Sequence, residues 1–428
     1  MATSPEFNLP YSSDVIVIGS GFAGLTAAIE CRMNGGRVIV LEKMKAIGGN
    51  SIISDGGIAA PNTAEQQLLG IKDSPEWMYE DMMASGEGLN DPKITKLVCD
   101  HALEAYLWSK EVLHVQYLPR VDVFGGHRVP RCYSPDPLSG STIILKMKDK
   151  CEELGIPIFK GVSVASFLKD ENGRVNGLTV DTQYSLDPDH LKKYSTILAL
   201  KGIIVATGGY AADTRFLSQI NPNFDPQSKT TNKLSATSEV LQACMAIGAK
   251  TAHLDQIQWM PWTTQDEPGY GKGGLFGDYI VSSLGILIDL KTGKRFVNEQ
   301  GNRKEVTDQI RKAQNVIGIA DAGAVERSGW DLSSVLKKGI VKTHPSLEDI
   351  AETYGCSKDA LIETIENYNQ MIQTHQNDPL GKVITGNMTP LLQAPYYTMR
   401  IQPKTHYALG GLVTDESARV LYPHHHPI

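Results

Sequence analysis

The sequence predicts an α/β protein built around a parallel nucleotide-binding unit, with a second, α+β segment inserted late in the chain. Three observations predict it. Asp14-Val-Ile-Val-Ile-Gly19-Ser-Gly21-Phe-Ala-Gly24 carries apolar strand formers into a glycine turn. Val38-Ile-Val-Leu-Glu42 is a second apolar run and ends in a carboxylate. Gly202-Ile-Ile-Val-Ala-Thr207-Gly208-Gly209 is a third run, again ending in glycines.

The first two runs and the small-residue helix expected from Leu25 form one Rossmann-like βαβ unit. Gly19 permits the tight turn, Gly21 lets the backbone approach a pyrophosphate, and Gly24 lets helix and strand pack closely. The helix N-terminus offers bare N–H groups to phosphates, and Glu42 accepts ribose hydroxyls. These four residues alone fit NAD and FAD equally. The third run is expected where the carboxyl ends of parallel strands meet the ligand a second time.

The chain has 428 residues, enough for two or three domains of about 100–200 residues each. A net charge of −7, with Lys and Arg scattered, argues against nucleic acid as a partner. No apolar run approaches the roughly 18 residues of a membrane span, so no span is expected. The six cysteines show no CxxC or CxxCH spacing, which excludes a zinc ribbon, an iron–sulfur site and a c-type haem. His424-His-His426 reads as a solvated tail, so no metal site is expected. Met1–Phe7 reads as an exposed tail; a soluble chain is expected, cytoplasmic, or periplasmic with a leader removed.

Between these runs, Ile47 to Ala60 is a second small-residue loop, suited to close backbone approach to a flat ligand. Residues 75–116 carry helical periodicity, and a polar, proline-punctuated stretch runs from Gly125 to Gly140. Thr142–Leu154 reads as a helix, and Ile156–Phe159, Ser163–Lys169 and Val175–Val180 as strands, with a hairpin turn at Asp170–Gly173. The composition changes near Ile257, so residues 1–256 are assigned to the nucleotide domain, 257–390 to an inserted domain, and 391–428 to a return into the first. A strand Gly285–Leu290, a turn at Lys291–Lys294 and a helix Ser357–Gln373 fall in the inserted part.

Gly48-Gly-Asn-Ser51 with Ser54-Asp-Gly-Gly57, Gly126-His-Arg128, Lys294-Arg-Phe-Val-Asn-Glu299 followed by Arg303, and His406-Tyr-Ala-Leu-Gly-Gly411 are more specific than the glycine fingerprint. On these the chain, from about Ser13 to Arg419, resembles the flavoprotein family of fumarate reductases and succinate dehydrogenases, in its soluble branch. The resemblance implies FAD rather than NAD, and a clamp (capping) domain inserted in the flavin domain. It implies FAD contacts from Gly19, Gly21, Phe22, Ala23 and Gly24, and from Glu42 and Lys43. Further contacts are implied for Gly49, Asn50, Ser51, Gly56 and Gly57, and for Val164, Ala206, Thr207 and Gly208. Asn50 stands where membrane-bound relatives attach FAD through a histidine, which implies noncovalent FAD. In the family the arginine after the Arg-Phe-Val-Asn-Glu run donates the proton to substrate, which is Arg303 here. The histidine of the His-Tyr-Thr-Met-Gly-Gly motif holds a substrate carboxylate, which is His406 here.

The resemblance implies reduction of an α,β-unsaturated carboxylate, with electrons from a separate donor, a haem domain or a reduced-flavin or quinone-linked protein. The chain departs from fumarate reductases where they carry His-Pro-Thr and Thr-Glu, reading Trp259-Met-Pro-Trp262 and Gly277-Asp278-Tyr279-Ile280. One carboxylate site is thereby lost and apolar surface gained, as for an aryl or hydrophobic acrylate. Asp278 or Tyr279 is left for substrate binding or proton relay. Family members continue past the position of Ile428 with further flavin-contacting segments, so the chain as written is expected to hold the AMP half of FAD better than the isoalloxazine half. Two other readings stay open: a flavin-dependent dehydrogenase or oxidase such as a 3-ketosteroid dehydrogenase, and a non-catalytic FAD-binding chain.

Overall fold

The structure is a computed structural model describing residues 9–123, 126–187, 189–384, 388–424 and 426–428. The expected N-terminal tail, Gly125 at the start of the polar stretch, and His425 of the histidine run lie outside these residues. The chain divides into two compact units. Unit one is residues 1–209, 238–252 and 411–428, and unit two is residues 210–237 and 253–410.

In unit one, β1 (Ser12–Ile18) leads into α1 (Phe22–Met33) and β2 (Val38–Glu42). Helices α2 (Pro75–Ser85) and α3 (Pro92–Glu111) follow, capped by the side chains of Ser74 and Asp91. The expected single helical stretch is broken between them, where Glu87 and Gly88 take positive φ. Then come α4 (Gly140–Glu153), β3 (Ile158–Lys160), β4 (Ser163–Lys169), β5 (Val175–Asp181) and β6 (Tyr194–Val205). The sheet order is β3-β2-β1-β6-β5-β4. β1 pairs in parallel with β2 and β6, and β2 with β3, while β4 and β5 add an antiparallel edge.

The apolar runs are continuous because both faces of this sheet are covered. Ile16, Ile18, Ile39 and Leu41 pack in a cluster with Val164, Val180 and Ile197. Val17, Val38 and Val40 pack in another with Leu25, Ala28 and Ile29 of α1 and Ile144 and Met147 of α4.

Unit two is built on an antiparallel sheet of β8 (Ile286–Asp289), β9 (Val316–Asp321), β10 (Lys342–His344) and β11 (Tyr396–Ile401), in the order β8-β9-β11-β10. Helices α5 (Arg303–Ala313) and α6 (Lys358–Gln373) accompany it, the latter capped by Ser357. A two-stranded ribbon pairs β7 (Ile257–Met260) with β12 (Lys404–Ala408). One large core gathers Ile286 and Ile288, Ile317 and Ile319, Met399, and Leu361 and Ile365 of α6. The inserted segment is expected over 257–390, with 1–256 and 391–428 in the nucleotide domain; this unit also takes in 210–237, 253–256 and 391–410. Among the described residues no helix is long and apolar enough to cross a membrane.

Candidate functional site

In unit one the loops after β1, β2 and β6 form a cradle at the carboxyl ends of the parallel strands. Gly19 ends β1 at φ +105°, and a side chain there would run into the backbone carbonyl of Ala206 at the end of β6. A Cβ on Gly24 would overlap the carbonyl oxygen of Gly19, so α1 sits against the turn as only glycine allows. No side chain caps α1 at Gly21. Its first turn, through the N–H groups of Ala23 and Gly24, therefore offers a positive dipole end to an anion. Ser51 Oγ accepts from the Phe22 N–H at 3.1 Å, joining the Gly49-Asn50-Ser51 loop to that helix end.

Glu42 is 7% exposed at the end of β2. Its Oε2 accepts from both the N–H and the hydroxyl of Ser20, and its Oε1 from Met44 N–H at 2.8 Å. A carboxylate has about four lone-pair sites, so Oε1 keeps capacity for a ribose hydroxyl. The Ser20 hydroxyl in turn accepts from Gly48 N–H at 3.0 Å, tying the second glycine loop to the first. Lys43 forms an ion pair with Glu239 at 3.0 Å. Val164 is buried in β4, two residues beyond Val162, whose N–H donates to the Glu42 carbonyl. Gly56 and Gly57 lead into the short strand Ile58–Ala59, paired with Cys132–Tyr133. Ala206 N–H donates to Ile18 O at 2.9 Å, so Ala206, Thr207 and Gly208 leave β6 beside the Gly19 turn.

The second cluster lies in unit two. Arg303 opens α5, where Asn302 caps the helix. Its Nη1 donates to Gln258 Oε1 at 3.0 Å. Gln258 pairs with Tyr407 and Trp259 with Thr405, so His406 is the extra residue of a β-bulge in the ribbon. His406 Nδ1 lies 2.7 Å from Thr231 Oγ1, and its carbonyl accepts from Asn232 Nδ2 at 2.8 Å. Burial, reinforced by the charge of Arg303, lowers the His406 pKa to about 4. The structure thus brings together a fixed cation and an uncharged imidazole.

Asp278 and Tyr279 lie on a separate element, a π-helical turn over Phe276–Val281. Asp278 accepts from the Tyr270 hydroxyl at 3.0 Å, and Tyr279 packs on Trp330 with ring centroids 5.3 Å apart. The two indoles expected to face substrate are engaged by the protein itself. Trp259 stacks on Phe224 and carries the Arg311 guanidinium 3.6 Å from its ring centre. Trp262 is 6% exposed in the unit-two core.

The Arg-Phe-Val-Asn-Glu segment owes its place to a buried ion network. Arg295 makes two hydrogen bonds each to Glu299 and Asp378, Lys382 lies 3.4 Å from Glu299, and Leu287 N–H donates to Glu299. This fixes the chain four residues before Arg303. Ser20, Gln258, Thr231 and Asn232 escape the sequence reading. Ser20 occupies a variable position inside the glycine fingerprint, and the other three hold site residues from sequence-distant segments. Among the described residues no group of three His, Cys, Asp or Glu is placed to hold a metal ion.

An α/β nucleotide-binding unit with an open helix terminus, together with an arginine–histidine cluster in a second unit, defines a dinucleotide-dependent enzyme class. The chain belongs to the FAD binding domain family, whose model matches residues 14–428. It is 32% identical over 414 residues to the acrylate reductase flavoprotein subunit of Shewanella woodyi, covering 95% of this chain and 81% of that one. It is 29% identical to the urocanate reductase of Eggerthella lenta, covering 98% and 68%. Its fold matches the open conformation of a flavocytochrome c3 fumarate reductase with a TM-score of 0.81 and 25% identity, over 97% of this chain and 71% of that one.

Proposed function

We propose that this chain is the flavin-bearing body of a reductase that saturates the C=C bond of an α,β-unsaturated monocarboxylate of the acrylate class. The observation that carries the reading is Arg303, held by an uncharged amide, beside a neutral His406 on a bulge. The residues of the unit-one cradle would hold FAD, which would supply the hydride for one alkene carbon. The neighbouring carbon then develops carbanion charge and needs a proton.

Arg303 stabilises that charge and delivers the proton. A guanidinium with a pKa above about 12 is a poor acid alone, so a relay must restore its proton, and Asp278 or Tyr279 is assigned to that role or to substrate binding. His406 donates a hydrogen bond to the substrate carboxylate. The occupied faces of Trp259 and the burial of Trp262 favour a small enoate over an aryl one. The similarity to an acrylate reductase subunit supports the same class, and the word subunit in that protein's name agrees with a separate electron donor. FAD is bound noncovalently, because the Asn50 amide is no nucleophile; acid precipitation then leaves a colourless pellet, and a yellow one contradicts this.

The test is anaerobic reoxidation of the dye-reduced protein by acrylate, urocanate and fumarate, with dye reduction by a 3-ketosteroid as the opposite arm. Reoxidation by acrylate, with fumarate slower, is expected. Turnover of the steroid alone would establish the oxidising reading, and no turnover in either direction a flavin-binding chain without catalysis.

A further inference from the structure

We infer that Thr231 is a positioning residue that fixes the tautomer of His406, leaving Nε2–H as the donor presented to a ligand carboxylate. The inference rests on the reading of His406 as carboxylate anchor and adds the group that makes it a donor. A neutral imidazole carries one proton, and the partner of one ring nitrogen decides which nitrogen holds it. His406 Nδ1 has Thr231 Oγ1 at 2.7 Å. The Thr231 hydroxyl has one proton and two acceptors in reach, Nδ1 and the Thr405 carbonyl at 3.3 Å.

That carbonyl is already satisfied. It accepts from Thr231 N–H at 2.9 Å and from the Thr230 hydroxyl at 3.2 Å, which uses both lone pairs. The Thr230 hydroxyl is itself oriented, because its oxygen accepts from the N–H and the amide of Asn232. The Thr231 proton therefore goes to Nδ1, and the imidazole proton resides on Nε2. Thr231 is 4% exposed, so water does not compete for the hydroxyl. The Asn232 bond to the His406 carbonyl holds the backbone of the bulge in the same clamp. Without a directed donor at Nε2, an uncharged imidazole would present a lone pair to a carboxylate and repel it.

The experiment uses the full FAD-loaded chain, its Thr231→Val and Thr231→Ser variants, and His406→Gln to identify the His406 signals. Nitrogen-15 correlation spectra of the histidine rings are expected to show unprotonated Nδ1 and protonated Nε2 for His406 in the wild type. Thr231→Val is expected to raise KM for acrylate about tenfold with kcat changed far less, the loss of one hydrogen bond to a charged group, and Thr231→Ser to restore it. A protonated Nδ1 in the wild type overturns the inference, as does an unchanged KM in Thr231→Val. If Thr231→Val fails to fold, the wild-type spectrum still decides. Absence of any enoate turnover by the wild type overturns the proposed function, while the spectrum separately judges the tautomer.

Discussion

Gln258 accepts a hydrogen bond from Arg303 Nη1 at 3.0 Å, and the same strand step, Gln258–Trp259, lies opposite the bulged His406. One helix and one irregular ribbon thus set both side chains. Trp259 carries Arg311, two turns along the helix that Arg303 opens, so α5 is pinned to β7 at both ends. A neutral partner aims the guanidinium without cancelling its charge.

Gln258→Leu removes that aim. A hydrogen bond to a charged group contributes about 1.5–3 kcal/mol, so kcat/KM for acrylate is expected to fall about 10- to 100-fold with FAD content and melting temperature near wild type. Steady-state reduced-dye kinetics check this.

Glu299→Ala tests the network that seats the segment before Arg303. It leaves Arg295 and Lys382 buried without their shared counter-charge, and is expected to cost about 3–5 kcal/mol. Urea unfolding followed by circular dichroism reads the change. A loss below about 1 kcal/mol would mean that water or Asp378 compensates, and the motif would not be structural.

Gly24→Ala probes the cradle. The added methyl meets the Gly19 carbonyl oxygen, so helix and turn must separate, at about 1–3 kcal/mol. The variant is expected to lose most of its flavin on desalting, whereas Gly202→Ala, where an added Cβ meets nothing and the backbone is not left-handed, keeps it. Flavin absorbance per chain is the readout.

The His406 shift links to stability with a definite sign. Its folded pKa, about 4, lies below the usual 6.5, because burial disfavours the imidazolium. Between those values the unfolded chain binds more protons than the folded one, so stability rises with pH. The contribution is full above about 6.5 and is lost as pH falls toward 4. Urea midpoints measured at pH 7 and pH 5 are expected to drop further in the wild type than in His406→Gln.

The nucleotide unit was largely legible in the sequence because its signals are local. An apolar run buried on both faces, a glycine turn and a closing carboxylate lie within one continuous stretch, and β4 spans Ser163–Lys169 as the alternation indicates. β6 begins at Tyr194, eight residues before the glycine that the apolar run suggested, because Tyr194–Leu198 pairs along the antiparallel β5 and needs less apolar character there. The partners that aim the site residues were not legible. Thr231 meets His406, and Gln258 meets Arg303, only after long stretches of chain close on themselves, and no spacing rule encodes such pairs. The indoles at 259 and 262 show the converse. Their chemistry suggested a ligand surface, but Phe224 and Arg311 cover Trp259, and the core absorbs Trp262.

The central claim is that Arg303 supplies the proton in the reduction of an unsaturated carboxylate. Its most direct test is acrylate-dependent oxidation of reduced methyl viologen by Arg303→Ala, with FAD content measured in the same preparation. The account predicts wild-type FAD content and a kcat reduced by at least about 1,000-fold, the combined loss of proton transfer and charge stabilisation. A flavin-loaded variant retaining a rate within about tenfold of wild type would contradict it, since general acid catalysis alone contributes about 100-fold or more.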